Sequence, residues 1–335
     1  MSIPSNARIF VAGHKGLVGS AIVRALITSG HDSAALILRT RAQLDLRDQG
    51  ATYAFFAEER PDYVFLAAAI VGGIMANNTR PAEFIRDNLA VQDNVIDAAW
   101  RNSVKRLLFL GSSCIYPRLA PQPMREKDLL TGPLEPTNRP YALAKIAGIE
   151  MCWSYNRQYR TRYLAAMPTN LYGPNDNYDL QGSHVIPALI RKFDEARRSA
   201  APSVVVWGSG RPRREFLYSE DMAEACVWLM NLPEARYDAL LGSDESVTGR
   251  FEPPIVNIGV GQDVTVAELA DLVREVVGFK GKIEYDASKP DGTPRKLMDV
   301  SKLSESGWEA KTSLREGLTR AYQSYLARFA ETENS

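Results

Sequence analysis

Three glycines stand in Gly13-His14-Lys15-Gly16-Leu17-Val18-Gly19, between an apolar run, Arg8–Ala12, and a helix-like segment from about Gly16 to Ser29. Glycines so placed let a chain turn tightly, bring its backbone against a pyrophosphate and pack a helix on a strand. The helix that follows would offer unpaired N–H groups and the positive end of its dipole to the phosphates. Spaced glycines also occur in ligand-free turns, and it is the strand before and helix after that point to a dinucleotide site. The second strand-like run ends Leu36-Ile37-Leu38-Arg39-Thr40-Arg41, without a carboxylate. A carboxylate there would bind the ribose 2′-hydroxyl and repel a 2′-phosphate, whereas arginine holds that phosphate through charged hydrogen bonds. Arg39 and Arg41 therefore point to NADP(H), the plain alternative being a solvated surface pair.

A second set of residues could move a proton. Ser112 follows the apolar run Arg106–Leu110, and Tyr141 and Lys145 follow Pro140 at a spacing of four. On a helix begun by Pro140 that spacing puts both side chains on one face. A tyrosine titrating near 10 is a poor acid–base group at neutral pH, and a neighbouring ammonium would favour its phenolate. A Tyr-x-x-x-Lys pair alone is frequent by chance. Its weight comes from following a serine-bearing strand end and a glycine-rich first turn.

The elements that must position these groups alternate. Strand-like runs at Arg8–Ala12, Ala35–Leu38, Tyr63–Ala67, Arg106–Leu110 and Arg162–Met167 are separated by helical stretches near Arg47–Glu59, Pro81–Trp100 and Pro140–Tyr159. Strands this apolar are buried on both faces, so the expected fold is α/β, a doubly wound parallel sheet of Rossmann type. After Pro168 the rhythm breaks into loops rich in Gly, Pro and Asn, with a helix near Asp221–Asn231, a strand at Ile255–Ile258 and a helix at Val266–Val277. Residues 1–170 are expected to form the dinucleotide-binding core, with later segments returning to it. Residues 171–335 are expected to form mainly a smaller α/β substrate unit, in which the polar stretch Gly242–Pro254 is an exposed loop.

The whole composition narrows the function classes. In 335 residues, 40 Lys plus Arg balance 40 Asp plus Glu, so the basic excess of a nucleic-acid binder is missing. Three cysteines make neither a disulfide framework nor a CxxC zinc motif, and no metal is expected. The run Tyr63–Ala76 is too short to span a bilayer and is interrupted by Gly72 and Gly73, and the N-terminus lacks a signal-peptide core. A cytoplasmic globular protein acting on a small molecule is expected.

Taken in order, the glycine turn, the serine-bearing strand end and the Tyr/Lys pair resemble the extended branch of the short-chain dehydrogenase/reductases. Shorter segments are similar to the GDP-L-fucose synthase family within it: Leu110-Gly111-Ser112-Ser113-Cys114-Ile115-Tyr116-Pro117, Ala69–Asn78, Glu135-Pro136-Thr137-Asn138, Pro168-Thr169-Asn170-Leu171-Tyr172-Gly173-Pro174, Ser183-His184-Val185-Ile186-Pro187 and Lys289–Lys296. The resemblance spans nearly the whole chain, and Gly242–Pro254 departs from it by its length. It implies NADPH-dependent conversion of GDP-4-keto-6-deoxy-D-mannose to GDP-L-fucose, by epimerisation at C3 and C5 and then reduction at C4. It further implies that Tyr141 and Lys145 act with Ser112 on the carbonyl, and that Cys114 and His184 are the acid–base pair for epimerisation. A thiol near 8.5 and an imidazole near 6.5 bracket neutral pH, which suits them to that role.

By the same resemblance, cofactor contacts are expected from Gly13, His14, Lys15, Gly16, Leu17, Val18, Gly19, Arg39, Arg41, Leu110, Gly111, Ser112, Ser113, Lys145, Pro168, Thr169, Asn170, Leu171 and His184. Substrate contacts are expected from Lys192, Trp207, Arg214, Asp291 and Lys296, and a two-fold homodimer through the helices near Pro81–Trp100 and Tyr141–Tyr159. Cys152 and Cys226 are expected to be core residues. Arg211 and Arg213 are expected to be solvated loop residues, and His31 a solvated surface residue. Competing readings are an NAD-dependent nucleotide-sugar 4-epimerase or 4,6-dehydratase, a GDP-colitose synthase, and a dinucleotide-binding redox sensor without catalysis. The Ser113-Cys114 pair stands where the dehydratases carry a carboxylate, and the intact Tyr/Lys pair disfavours the sensor.

Overall fold

The computed structural model describes residues 3–180, 182–242, 253–289 and 291–333. Most of the Gly242–Pro254 stretch, residues 243–252, lies outside them. The first half reads β1 (Ile9–Ala12), α1 (Leu17–Thr28), β2 (Leu36–Ile37), α2 (Gln49–Glu59), β3 (Tyr63–Leu66), α3 (Ile74–Thr79), α4 (Pro81–Arg101), β4 (Arg106–Leu110), α5 (Arg139–Tyr159) and β5 (Tyr163–Pro168). Then come β6 (Asn170–Tyr172), α6 (Val185–Arg198), β7 (Ser203–Trp207), β8 (Arg213–Arg214), β9 (Phe216–Tyr218), α7 (Ser219–Met230) and β10 (Ile255–Ile258).

Six strands form one parallel sheet in the order β10-β5-β4-β3-β1-β2. Successive side chains of a strand face opposite sides, and both sides are covered here. Phe10, Val64, Leu107 and Phe109 pack with α2, α4 and α5 on one face. Val11, Phe65, Leu108 and Leu164 pack with α1 and α7 on the other. Each such fully buried side chain contributes roughly 1.5–3 kcal/mol of burial free energy, which explains why the strands read as unbroken apolar runs. A third core, including Tyr172, Phe193, Val206, Phe216, Val273 and Phe279, belongs to the second half.

The structure corrects the local reading in three places. The second strand shortens to Leu36–Ile37 because Ser33–Ala35 forms a 3₁₀ turn capped by the Asp32 carboxylate, which accepts from the Ala34 N–H at 2.9 Å. His184 ends its loop as the residue that starts α6, a helix with a strongly apolar face that the reading of the sequence did not single out. The helix Leu314–Glu333 was likewise not singled out. Cys152 and Cys226 are fully buried on α5 and α7. No helix among the described residues is long and apolar enough to cross a membrane.

Candidate active site

The glycine turn joins β1 to α1, and its three glycines answer to different demands. Gly13 has φ +85°, and a Cβ there would lie 2.8 Å from the Ala68 nitrogen. A Cβ on Gly19 would lie 2.1 Å from the Gly13 carbonyl oxygen. Both are required by the fold itself. Gly16 is not: a Cβ there would touch only the Gly13 oxygen, at an ordinary 3.5 Å, and the residue is exposed at the start of α1. No side chain caps this helix start, so its first-turn N–H groups are left for a ligand. The cradle thus fits a pyrophosphate brought close to backbone. His14 adds a buried, unpartnered Nδ1 beside it.

The two arginines at the end of β2 differ. Arg39 pairs with Glu59 on α2, and its Nη1 donates to the Leu38 carbonyl at 3.0 Å. Arg41 reaches Asp45 only at 3.9 Å, and its side chain is 63% exposed. Arg41 is therefore the freer of the two cations to meet a phosphate.

The proton-moving groups gather at the end of β4. Ser112 is extended, and its Oγ accepts from the Cys114 N–H at 3.5 Å, starting the single turn Ser113–Ile115 that buries Cys114. Opposite lies the first turn of α5. That helix comes close to β4 because Gly148 has no side chain: a Cβ there would fall 2.4 Å from Phe109 Cζ. Gln92 of α4 holds it by donating to the Ala144 carbonyl at 2.6 Å. Lys145 is consequently buried, with Nζ donating to the Leu110 carbonyl at 2.8 Å and lying 4.7 Å from the Phe109 ring centroid.

Burial sets the protonation states. It pushes the Tyr141 phenol well above its usual value; the nearby Cys114 adds to this and the Ser112 hydroxyl opposes it. The same burial lowers the Lys145 ammonium to about 8. The expected lowering of the phenol by Lys145 is not what this geometry gives. The ammonium is engaged by Leu110 and stands 5.8 Å from the centre of the tyrosine ring, while desolvation dominates. The Cys114 thiol is also raised by burial, with Lys296, Ser112 and Lys145 pulling the other way. His184 is lowered by burial and by the charge of Lys296. His184 is exposed at its surface yet ringed by protein, as befits a side chain in the wall of a cleft. The charge of Lys296 is felt by both Cys114 and His184, and Cys114 in turn lies close enough to Tyr141 to act on its phenol.

The second half carries the residues expected to meet the substrate. Trp207, 51% exposed at the end of β7, has two ammonium groups near its ring, Lys192 Nζ at 5.0 Å and Lys289 Nζ at 5.6 Å from the ring centroid. Lys192 comes from α6, and its Nζ donates to the Val205 carbonyl at 3.1 Å. Arg214 donates to the Asp291 carbonyl at 3.3 Å, and burial lowers its pKa. The Asp291 carboxylate accepts from the Ser209 N–H and hydroxyl, both at 2.7 Å, and so braces the turn after Trp207. Arg213 is not a free solvated cation, because Asp263 binds its Nε at 2.8 Å. His31, read as a surface residue, is buried, with its Nδ1 unpartnered.

Glu215 went unnoticed in the sequence, hidden beside Arg213 and Arg214. It is fully buried, and its carboxylate accepts from the amides of Val260 (2.6 Å), Gly261 (2.7 Å) and Met298 (2.9 Å). Its carbonyl accepts from Thr169 Oγ at 3.2 Å and Asn170 Nδ2 at 2.8 Å. Through its backbone carbonyl Glu215 holds the end of β5, and through its carboxylate it ties the residues after β10 to Met298. No spacing pattern signals such a brace.

Comparison with known proteins agrees with this geometry. Residues 9–241 match the model of the NAD dependent epimerase/dehydratase family. GDP-L-fucose synthase 1 of Arabidopsis thaliana is 56% identical over 321 residues, 96% of this chain and 94% of that protein. GDP-L-fucose synthase of Escherichia coli (strain K12) is 54% identical over 322 residues, covering 96% and 97%. The chain belongs to the GDP-L-fucose synthases of the extended short-chain dehydrogenase/reductase family. Among solved structures, a GDP-mannoheptose C4 reductase from Campylobacter jejuni with NADP bound superposes with a TM-score of 0.86 at 37% identity, covering 97% of this chain and 99% of that one.

Proposed function

We propose that this protein converts GDP-4-keto-6-deoxy-D-mannose to GDP-L-fucose, inverting C3 and C5 and reducing C4 with NADPH. What supports the reading is the buried group of Tyr141, Lys145 and Cys114 at the end of β4, with Ser112 beside them and the charge of Lys296 acting on both Cys114 and His184. The 4-keto group acidifies the protons on C3 and C5. Cys114 and His184 exchange those protons on opposite faces of the enolate, and Ser112 donates a hydrogen bond to the carbonyl oxygen. Bound NADPH would supply the hydride that reduces C4. Tyr141, kept protonated by burial, gives its proton to the forming alkoxide. Gly13–Gly19, with the ends of β4 and β5, would hold the cofactor, Lys145 its nicotinamide ribose and Arg41 its 2′-phosphate. Trp207, Lys192 and Arg214 would take the guanine and the diphosphate, with Lys296 near the sugar.

Residues 1–170, joined by α7, β10 and the Leu303–Trp308 segment, serve as the cofactor unit, and the rest mainly as the substrate unit. Leu89 of α4 and Leu143 and Tyr159 of α5, 36%, 43% and 40% exposed, support a two-fold homodimer through those helices. Trp153 of α5 is buried within the protomer and takes no part in that surface. A monomer by sedimentation at micromolar concentration would remove the dimer. Three unpaired cysteines and the NADPH requirement support a cytoplasmic location.

The test is incubation with GDP-4-keto-6-deoxy-D-mannose and NADPH, followed by identification of the product sugar. GDP-L-fucose is expected; NADPH oxidation yielding a sugar not inverted at C3 and C5 would overturn the reading. With NADP⁺ in deuterated water, the intact enzyme should wash deuterium into C3 and C5 without reduction. Cys114→Ala and His184→Ala should each slow this about 10²- to 10⁴-fold.

A further inference from the structure

The segment that delivers His184 to the crevice does not stand alone. Its backbone is clasped by the turn ahead of α3: the Gly73 N–H donates to the Gly182 carbonyl at 3.1 Å. That turn is in turn held from within by Asn77, which is 5% exposed and whose side-chain amide donates to the Gly72 carbonyl at 2.7 Å and the Gly73 carbonyl at 3.1 Å. The approach is close. A Cβ on Gly73 would lie 2.9 Å from the Ser183 carbonyl oxygen, the last one before His184. A Cβ on Gly72 would lie 3.3 Å from Phe84 Cζ, and Phe84 meets the Tyr141 ring edge-on at 6.2 Å. One small turn therefore leans on the imidazole's backbone on one side and on the tyrosine's ring support on the other.

We infer that Gly73 and Asn77 are positioning residues for His184, setting where its imidazole stands relative to Tyr141 and Cys114 across the crevice. The inference rests on the acid–base assignment of His184 above. The physical reason is that proton transfer to carbon needs the imidazole within hydrogen-bonding reach of one particular hydrogen. A displacement of the order of an ångström from outside the chemistry is enough to cost about 100-fold. Glycine at 73 keeps the two backbones at contact distance, and any side chain there must push Ser183 outward. Asn77 holds the turn so that this contact is kept.

The experiment compares the intact enzyme with Gly73→Ala, Asn77→Ala and His184→Ala in the NADP⁺ deuterium-exchange reaction, alongside NADPH affinity and the KM and kcat of the full reaction. Gly73→Ala is expected to slow exchange roughly 10- to 100-fold while NADPH affinity and KM stay within about threefold, a split that general loosening of the fold would not produce. Asn77→Ala, which adds no bulk, is expected to shift the same rate in the same direction, by about three- to tenfold. If Gly73→Ala does not fold well enough to bind NADPH, Asn77→Ala carries the test with that expectation. Slow exchange in His184→Ala with unaltered exchange in a folded Gly73→Ala or Asn77→Ala would overturn the inference. Unaltered exchange in His184→Ala would instead overturn the assignment beneath it.

Discussion

The two walls of the crevice are built on opposite principles. The wall at the ends of β1 and β4 is set in the core: Cys114 and Lys145 are buried, Lys145 is anchored on a strand carbonyl, and α5 is drawn in by the missing side chain of Gly148. The facing wall is a shelf of long, reaching groups. Trp207 is half exposed, Lys192 and Lys289 flank it, and the loop that carries Asp291 is stitched to the Ser209 turn by two hydrogen bonds. Proton and hydride transfer tolerate little displacement, so those groups sit on strand ends and a helix fixed by packing. On the proposed function, recognition of a base and two phosphates would be spread over many contacts, each of modest worth, for which an adaptable surface suffices. On the proposed assignment His184 serves the wall of chemistry while belonging to the second half by sequence, and the Gly73 N–H bonded to the Gly182 carbonyl joins its loop to the first half.

That contrast breaks most plainly at Tyr141. Tyr141→Phe keeps the ring against Phe84 and removes only the proton, so NADPH oxidation with substrate should fall about 10²- to 10⁴-fold with NADPH affinity intact. Near-normal turnover would mean that the buried wall does not hold the acid. On the shelf, Trp207→Ala should act the other way, raising KM while leaving kcat nearly unchanged. A lost base stack is worth about 1–3 kcal/mol, or roughly 5- to 150-fold in KM. A fall in kcat alone would show that the shelf takes part in the chemistry. At the cofactor end, Arg41→Ala should narrow the preference for NADPH over NADH. Its exposure screens the contact, so the expected change is about tenfold in the ratio of the two kcat/KM values.

The smallest effect concerns stability. Asp176, in the segment between β6 and α6, is 6% exposed, has an unpartnered buried Oδ2, and is raised by burial from 3.8 to about 7. The folded state therefore keeps a proton that the unfolded chain gives up. Stability should fall as pH rises from about 4 to about 7 and level off above, by at most about 4 kcal/mol from this group. Asp176→Asn, a mimic of the neutral acid, should flatten that slope and raise the melting temperature more at pH 8 than at pH 5. An unchanged slope would show that the carboxyl ionises freely in the folded protein.

What the sequence determined by itself follows from short-range rules. The strands β1, β3, β4, β5 and β10 were legible because doubly covered strands must be apolar on both faces, and the glycine turn because its neighbours give it context. Tyr141 and Lys145 were legible because a helix puts a spacing of four on one side. The expected roles of Cys114 and His184 came from resemblance together with the titration ranges of a thiol and an imidazole. Only the tertiary structure decided the rest. It paired Arg39 with Glu59 and left Arg41 only loosely paired with Asp45, distinguishing two residues that the sequence presents as equals. It turned Asp291 into a brace for the Trp207 turn, and it placed Glu215, 45 residues before Val260, where it could collect three distant amides. It also reversed the expected influence on Tyr141, since the cost of burying charge outweighs a neighbouring ammonium that faces a carbonyl instead. Periodicity reports which side of an element is buried; which partner a charged group meets, and how far water is kept from it, depends on segments far apart in the chain, and only folding brings those together.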